Sequence, residues 1–499
     1  MRSRGDNAAV SLQRGAGILL PLAALPSDYG IGSMGKNACE FIDFLKAAGQ
    51  KYWQLLPLCP AGPGASPYSS VSSFAGNPWY IDPEKLAEDG IISAAELPEK
   101  RPAGFIDYGF IAQSRETMLR RAFERSGHNC AQAVEKFRRD NPWLEGYALY
   151  MALKTRFGGK PWYQWPEDIK RREPAAAECW HGELEEEIRY YSFVQYLFYS
   201  QWEPVKEYAG RNGVSIIGDV PIYAAMDSAD LWLEPRFFRL DASLNPAETA
   251  GVPPDYYCED GQLWGNPLYD WDAMRADGWG WWIRRMDGAS RLFDVVRIDH
   301  FRAFASCWAV PTGEKTAKNG YWIKGPGMEL LGTLINWFSG MKFIAEDLGI
   351  LSPDVGELLK ASGLPGMKVL EFAFSPEGDS DYLPHKYERN CVCYAGTHDN
   401  NTVLGWLEDI SAPERDFAAK YMGVSEKEGW CRAMLRCGME SVADVFIAQM
   451  QDILEKPGEC RTNTPGTAHG NWRWRLSEGE CTPKLADTLR EYTKMYGRL

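Results

Sequence analysis

The stretch that decides the fold is residues 293–304, which read Phe-Asp-Val-Val-Arg-Ile-Asp-His-Phe-Arg-Ala-Phe. It begins with a β-branched apolar run, typical of a buried strand, and places Arg297 and Asp299 at its C-terminal end. Residues two apart in a strand point to the same face, so these two side chains are expected to lie side by side. A guanidinium beside a carboxylate lowers the pKa of that carboxylate and keeps it ionised. The pair is therefore either a structural ion pair that closes the strand or an oriented nucleophile.

Strand and helix patterns alternate along the chain. Residues 18–22 and 52–58 are short apolar runs, and between them residues 37–48 show helical spacing that stops at Gly49. A strand, a helix and a strand in such close succession form a βαβ unit, which predicts a parallel sheet. Further apolar runs of this kind occupy residues 214–223, 293–304, 341–349, 366–372, 391–400 and 445–449.

Eight such strands, with helical patterns between several of them, predict an α/β fold, a (β/α)8 TIM barrel with helical and loop insertions between strands. The alternative is an open doubly wound sheet, which usually carries a glycine-rich phosphate turn that this sequence lacks. We expect a mainly helical insertion over residues 83–208 and an irregular active-site insertion over residues 224–287. The whole of residues 14–499 is expected to form a single catalytic barrel, preceded by a disordered tail over residues 1–13.

Composition argues against several classes of protein. The formal net charge of -14 disfavours binding to nucleic acid or to an anionic membrane. No apolar run reaches about 18 residues, so no transmembrane helix is expected. The 12 cysteines are scattered, and Cys391 and Cys393 lie two apart on one face of a predicted strand, as small core residues rather than a metal or redox pair. A reduced, cytoplasmic protein is the simplest interpretation.

Acids end four of the predicted strands, and in a barrel the C-terminal strand ends meet at one mouth. These acids are Asp219, Asp299, Glu346 and Asp399. Cleavage of a glycosidic bond uses such carboxylates, since one protonates the leaving oxygen while another attacks or stabilises C1 of the sugar. The alternative is a site for Mg²⁺ or a related cation, but metal-assisted proton abstraction usually adds a Lys or His base. His300 and His398 are the only histidines so placed, and His300 has the strand parity of Ile298 and is expected to face away from Asp299. We therefore expect no cofactor and no metal.

Several motifs resemble those of a known enzyme clan. Residues 297–302, 345–349 and 397–400 are similar to three strand motifs of the alpha-amylase clan, and residues 219–223 resemble a fourth. More narrowly, the chain resembles the 4-alpha-glucanotransferases of the amylomaltase, or disproportionating enzyme, family. The supporting pieces are residues 66–68 (Ser-Pro-Tyr), 75–78 (Ala-Gly-Asn-Pro), 227–232 (Asp-Ser-Ala-Asp-Leu-Trp), 251–256, 261–267, and 463–467 leading to 471–475. These pieces span nearly the whole chain, which makes the combination specific.

The resemblance implies roles for the catalytic residues. Asp299 would be the nucleophile that forms a covalent glucosyl-enzyme, and Glu346 would be the general acid and then the base. Asp399, together with His398, would bind sugar hydroxyls and stabilise the oxocarbenium-like transition state. Retention of configuration needs the two main carboxyls about 5–5.5 Å apart, with the pKa of the acid raised and the pKa of the nucleophile kept low.

The resemblance also implies which residues bind substrate. Arg297 would orient the nucleophile, and Asp219 would hold the sugar next to the cleaved bond. The remaining candidates are Asp255, Gln262 and Trp264, on a loop that covers the acceptor side, and Ser66, Tyr68 and Asn463. A mobile cover suits a transferase, since the enzyme must exclude water while it admits a second sugar chain. Structural anchoring remains the alternative role for Tyr68, Trp264 and Asn463, and structural packing is the expected role of Trp472 and Trp474.

Two departures from the family pattern concern the rim of the site. Many relatives read Gly-Tyr-Gly-Asp-Ser-Pro-Tyr where this chain has Pro63 and Ala65 in place of the first tyrosine and the aspartate. This change argues against a secondary glucan-binding surface built on that tyrosine, and against efficient formation of very large rings. Relatives also often carry an aspartate where this chain has Ser375, so one contact to a sugar hydroxyl is expected to be lost.

The residues and the resemblance together predict a cytoplasmic transglycosylase without a cofactor. It would cut alpha-1,4-glucans, such as maltooligosaccharides or fragments of starch or glycogen, and pass a segment to the 4-hydroxyl of an acceptor glucan or glucose. An alpha-glucan hydrolase with the same carboxylates is the close alternative, since the two differ only in whether water or sugar reaches the intermediate. A non-catalytic glucan-binding protein is disfavoured, because a binding module has no need of an acid poised to donate a proton.

Overall fold

The computed structural model describes residues 11–254, 259–349 and 352–499. Its strands, numbered along the chain, are β1 (Gly15–Leu19), β2 (Tyr52–Gln54), β3 (Ser215–Val220), β4 (Glu248–Val252), β5 (Gln262–Pro267), β6 (Val295–Ile298), β7 (Ser306–Pro311), β8 (Tyr321–Lys324), β9 (Lys342–Ala345), β10 (Gly366–Val369), β11 (Cys391–Tyr394) and β12 (Val445–Gln449). Its α-helices are α1 (Lys36–Ala47), α2 (Pro83–Glu88), α3 (Tyr108–Ser126), α4 (Ala131–Asp140), α5 (Trp143–Arg156), α6 (Glu167–Lys170), α7 (Pro174–Glu183), α8 (Glu185–Arg211), α9 (Ala229–Leu233), α10 (Trp271–Ala276), α11 (Gly280–Leu292), α12 (Gly327–Trp337), α13 (Pro353–Ser362), α14 (Val403–Asp409), α15 (Ala412–Met422), α16 (Trp430–Glu440), α17 (Met450–Ile453) and α18 (Pro483–Met495).

Eight strands form one parallel sheet in the order β10-β11-β12-β1-β2-β3-β6-β9. Its two edges approach each other where the amide of Ala345 donates to the carbonyl of Pro365 at 2.9 Å, so the sheet is nearly closed into a barrel. The predicted TIM barrel is confirmed, and all eight predicted strands are present in it. Most of these strands end several residues before the apolar runs do, which leaves the ends of the motifs as loops at the mouth.

Alternate residues of the strands point inward and fill the barrel. They form a cluster of buried side chains that comprises Leu12, Leu19, Tyr52, Ile217, Val295, Ile344, Met367, Val369, Val392, Tyr394, Val445 and Ile447. A residue two positions further along a strand keeps the same direction. Asp219 therefore continues the inward row of Ile217, and Arg297 continues that of Val295. The interior of the barrel is therefore apolar along most of the strand length and becomes polar at the carboxyl ends of the strands.

Helices form the outer layer, and a second and larger apolar cluster lies between them and the barrel. The segment predicted as mainly helical, residues 83–208, contains α2 to α7 and most of α8, which packs on α5. Residues 1–10 of the predicted tail lie outside the described residues, whereas Leu12 is buried in the barrel cluster. Across the part of the chain that the structure describes, no helix combines the length and the apolar character needed to span a lipid bilayer.

A second, antiparallel sheet has the strand order β5-β4-β7-β8. Its first two strands come from residues 224–287, which the sequence indicated as irregular, and the other two follow β6. The strands β4 and β5 contain glycines and proline and show no clean alternation, so the local pattern gave no strand signal. Trp264 of β5 packs against His300 with ring centroids 4.6 Å apart, which places this sheet beside the barrel mouth.

Arg498 ties together the segments around β1 and β12. Its side chain is fully buried and donates to the carbonyls of Met439 at 2.7 Å, Gly15 at 3.0 Å and Ser441 at 3.0 Å. A buried guanidinium is tolerated when its donors are all used in this way. This side chain therefore supports the start of β1 through hydrogen bonds rather than through an ion pair.

Replacing Arg498 with Ala is expected to lower the free energy of unfolding by about 3 kcal/mol or more, because buried carbonyls lose their donors at about 1–3 kcal/mol each. For a chain of 499 residues this corresponds to a fall in Tm of about 3 °C, measured by circular dichroism. Arg490→Ala removes an exposed arginine of α18 and is the matched control, expected to change stability by less than about 0.5 kcal/mol. Equal Tm values for the two variants would contradict this role of Arg498.

Candidate active site

Arg297 is the centre of the candidate site. Its side chain is 4% exposed, and its Nη1 donates to both oxygens of Asp219 at 2.7 Å and to Oδ1 of Asp299 at 3.0 Å. Asp219 and Arg297 are register partners on β3 and β6, and Asp299 follows the end of β6 by one residue. The structure thus places Arg297 and Asp299 side by side at the mouth of the barrel, with Asp219 on the neighbouring strand.

Tyr68 and His398 extend this network on the far side of Asp219. The hydroxyl of Tyr68 donates to Oδ2 of Asp219 at 2.7 Å and lies 2.8 Å from Nε2 of His398, and the two rings are stacked 5.3 Å apart. Because the Tyr68 proton points to Asp219, the network assigns the imidazole proton to Nε2, which donates to Tyr68. Burial lowers the pKa of His398, so the ring is neutral.

Asp399 lies in the loop after β11 and is held from the C-terminal part of the chain. Asn463 Nδ2 donates to Oδ1 of Asp399 at 2.6 Å, and the amide of Asn463 donates to the carbonyl of His398 at 3.1 Å. Arg461 donates to the carbonyl of Asp399 and, through Nε, to the carbonyl of Asn463 at 2.6 Å. The structure therefore brings together His398, Asp399 and Asn463, three residues that the resemblance implied for the site.

Glu346 stands directly after β9, next to Asp299. Ile298 and Ala345 are register partners on β6 and β9, so Asp299 and Glu346 follow them as neighbours. Oε2 of Glu346 accepts from the amide of His300 at 2.6 Å, and Oε1 accepts from the amide of Leu348 at 3.1 Å. Both oxygens of this carboxyl group are therefore oriented by the backbone.

His300 does not follow the strand parity that the sequence suggested. The strand β6 ends at Ile298, and His300 adopts a left-handed conformation with φ +50° and ψ +50°. This conformation turns its amide toward Glu346 and its ring edge-on to Trp264. Burial lowers the pKa of His300 to about 3, so its ring is neutral and packs as an aromatic side chain.

The two central carboxyl groups have raised pKa values. Burial raises the pKa of Glu346 to about 8, and the nearby Asp299 adds to this effect. Burial also raises the pKa of Asp299 to about 7, so Arg297 opposes the shift without reversing it. The Asp299 side chain is still 26% exposed, and it accepts directly from Arg297, so its ionised form is the better stabilised of the two. A proton shared by the pair therefore belongs on Glu346.

The position of the Arg297 guanidinium is relevant to the alternative of a metal site. Nη1 of Arg297 lies between Asp219 and Asp299 at 2.7–3.0 Å, in the position that a shared cation would take. Among residues 11–254, 259–349 and 352–499, no group of three or more His, Cys, Asp or Glu side chains is arranged to hold a metal ion. Asp219 and Asp299 are thus organised around a guanidinium.

The remaining predicted residues that the structure describes lie at the rim. Trp264 is 37% exposed and donates from Nε1 to Oε1 of Gln262 at 3.1 Å, while its ring covers His300. Ser66 accepts from the amide of Tyr68 at 3.3 Å and so supports the turn that carries this tyrosine. Asp255 lies outside the described residues. In the segment with the family departure, Ser375 donates to Glu377.

Two further residues contact the site. Trp472, part of the motif at residues 471–475 and assigned to structural packing from the sequence, has its ring 5.9 Å from that of Tyr68 and 6.1 Å from that of His398. Arg461, which holds the Asp399 loop, was missed by sequence reasoning, because it lies in a loop and has no local signal. Gln54 accepts from the hydroxyl of Tyr394 at 2.8 Å across the barrel. As a polar residue at the end of β2, it could have been found by the rule that selected the strand-end acids.

Comparisons with known proteins show the family of this chain. A family model described as 4-alpha-glucanotransferase matches residues 20–482. The 4-alpha-glucanotransferase of Clostridium butyricum is 43% identical over 483 residues, which are 96% of this chain and 99% of that protein. The 4-alpha-glucanotransferase of Thermus thermophilus is 43% identical over 502 residues, which are 98% of this chain and 100% of that protein.

Solved structures give the same result. An amylomaltase from Streptococcus agalactiae in complex with acarbose superposes with a TM-score of 0.95 at 37% identity, and the match covers 97% of this chain and 100% of that one. An amylomaltase from Corynebacterium glutamicum shares the fold with a TM-score of 0.76 at 20% identity over 97% of this chain and 75% of that one. The family resemblance noted from the motifs is confirmed, and the chain belongs to the 4-alpha-glucanotransferase family.

Proposed function

We propose that this chain cuts an alpha-1,4-glucosidic bond and passes the glycosyl segment to the 4-hydroxyl of another glucan or of glucose, with retention of configuration. The observation that carries the proposal is the placement of Asp299 and Glu346 on adjacent strands, one bonded to Arg297 and the other to the His300 amide. Neighbouring strands lie about 4.8 Å apart. Side chains that start this close together can reach the carboxyl separation of about 5–5.5 Å that retaining enzymes use.

In the first step, the Asp299 carboxylate attacks C1 of the donor sugar while the bond from C1 to the bridging oxygen breaks. Glu346 gives its proton to that oxygen, and the departing glucan leaves with a free 4-hydroxyl. In the second step, the 4-hydroxyl of the acceptor loses its proton to Glu346 and attacks C1, which releases Asp299. The raised pKa of Glu346, about 8, suits a group that must hold a proton and later regain it.

The other residues bind and position. Asp219 is held by Arg297 and Tyr68 in an orientation that suits contact with hydroxyls of the sugar that reacts. His398 and Asp399, braced by Asn463, are suited to bind further hydroxyls and to favour positive charge at C1. The rim residues Gln262 and Trp264, with Asp255, are proposed to cover the acceptor side, where exclusion of water favours transfer over hydrolysis.

We also propose a reducing compartment, in keeping with a cytoplasmic enzyme. All the cysteines that the structure describes are unpaired. Cys391 and Cys393 of β11 are buried, and burial raises the pKa of the Cys391 thiol to about 12, so both serve as small core residues. Disulfide-free cysteines of this kind are usual in reducing compartments.

Pure maltotriose tests the reaction, with all products resolved by size. Glucose together with maltopentaose and longer chains is expected, because the intermediate is transferred to sugar. Glucose and maltose without longer chains would mean that water takes the intermediate, and the hydrolase alternative would stand. Absence of turnover would favour a binding protein.

Variants test the roles of the two carboxyl groups. Asp299→Asn and Glu346→Gln are each expected to lower kcat for maltotriose by at least about 10²–10⁴-fold. With an alpha-maltosyl fluoride donor, whose leaving group needs no proton, Glu346→Gln should still form the covalent adduct, seen by mass spectrometry of the protein, and Asp299→Asn should not. Asp487→Asn and Glu491→Gln make the same substitutions at exposed residues and are the matched controls. Their turnover of maltotriose should equal that of the wild type. Adduct formation by Asp299→Asn would contradict its role as nucleophile.

The pH dependence of kcat/KM tests the assignment of the proton. For maltotriose, a bell-shaped profile is expected, rising as Asp299 ionises near pH 7 and falling as Glu346 loses its proton near pH 8. For alpha-maltosyl fluoride the alkaline fall should disappear, since departure of fluoride needs no acid. The same alkaline fall with both donors would assign it to a group other than Glu346.

A further inference from the structure

One face of the antiparallel sheet carries a row of cross-strand neighbours. Gly251 of β4 pairs with Leu263 of β5 and with Trp308 of β7, and Trp308 pairs with Trp322 of β8. Paired residues of antiparallel strands have their side chains on the same face. Leu263 is 40% exposed and Trp322 is 45% exposed, and Gly251, which lies between Leu263 and Trp308, has no side chain. The opposite face carries Ala250 and Ala309, which are fully buried.

The ring of Trp322 is exposed but held in place. The ring of Trp308 meets it edge-on with centroids 5.0 Å apart, and the guanidinium of Arg302 lies 4.2 Å from its centroid. Trp308 is itself fixed, since its Nε1 donates to the carbonyl of Ala317 at 2.8 Å. A large aromatic surface that is already ordered loses little side-chain freedom when a ligand covers it.

This face is turned toward the segment that follows Glu346. Ser306, two residues before Trp308 on the same face of β7, donates to Asp354 in the first turn of α13 at 2.9 Å. Arg302, which lies under Trp322, donates to Ser352 at 3.4 Å, immediately before α13. Burial lowers the pKa of Arg302, and the nearby Asp354 and Glu346 oppose this shift. Trp322, against which Arg302 packs, therefore stands on the side of the mouth that carries Glu346.

The general acid marks the side on which the leaving sugar departs. Glu346 protonates the leaving oxygen, and the acceptor must enter where that sugar was, so the acceptor chain extends away from the cleaved bond on this side. An aromatic ring with an exposed flat surface suits the apolar C–H face of a glucose unit. Stacking of this kind adds affinity without changing the chemistry at C1.

We propose that Trp322, supported by Trp308 and Arg302, is a stacking platform for a glucose unit of the alpha-glucan acceptor, beyond the unit that reacts. The inference rests on the proposed transfer reaction. It makes Trp322 a residue that selects long acceptors over short ones, because glucose does not extend to the platform and a maltooligosaccharide does.

Acceptor length gives the test. Wild type and Trp322→Ala are supplied with alpha-maltosyl fluoride as a fixed donor, and KM for the acceptor is measured with glucose and with maltohexaose. The ratio of KM for maltohexaose to KM for glucose is expected to rise about three- to tenfold in Trp322→Ala. Trp337→Ala removes another tryptophan, 65% exposed at the end of α12, and is the matched control with an unchanged ratio.

Further variants separate stacking from packing. Trp322→Leu keeps apolar contact with Trp308 but has no flat ring, so it should behave as Trp322→Ala does, whereas Trp322→Tyr should restore most of the wild-type ratio. An unchanged ratio in Trp322→Leu, or an equal change of KM for glucose and for maltohexaose, would overturn the platform. If the wild type itself gave hydrolysis products alone, the proposed transfer reaction would fail instead, and the two failures are thus distinguishable.

Discussion

The guanidinium of Arg297 is a buried cation at the end of a barrel strand, and such a charge is tolerated only when it is paired and fully hydrogen-bonded. Asp219, from the neighbouring strand, supplies both of its oxygens to this cation, and Asp299 supplies one more. The requirement ties β3 to β6 in the register that sets Asp219 beside Arg297. Tyr68 then reaches the same carboxylate from a loop and contacts His398, so the order of this side of the mouth depends on this one pairing.

Negative charge exceeds positive charge around that pairing. Asp219 and Asp299 accept from one guanidinium, Asp399 lies close enough to Asp299 to contribute to the raised pKa of that carboxyl group, and burial lowers the pKa of His398 and keeps it neutral. Burial raises the pKa of Glu346, and Asp299 adds to the rise while Arg297 opposes it, so this group holds a proton that it can give away. The surplus of negative charge favours the positive charge that develops at C1 of a sugar. Burial thus serves the acid, and the surplus charge serves the proposed transition state.

The barrel positions the carboxyl groups of the candidate site, and the antiparallel sheet flanks the mouth where they lie. The reacting groups stand at the ends of short barrel strands, where register and backbone amides hold them to within narrow limits. The antiparallel sheet lies beside the mouth and presents Trp264 toward His300 on one face and Trp322 on the other. In the proposed reaction, this second part shapes the approach to C1 and so selects the molecule that reaches the intermediate.

The sequence by itself determined the barrel and the core of the candidate site. Alternation places Arg297 and Asp299 on one face, and the common direction of parallel strands brings the strand-end acids to one mouth, so both follow from local pattern. Local pattern did not predict the antiparallel sheet or the left-handed turn at His300. It also did not predict the hydrogen bond from Arg461 to the carbonyl of Asp399. These features depend on contacts between segments far apart in the chain, and local periodicity carries no information about which distant partners will meet. Only the tertiary structure decided them.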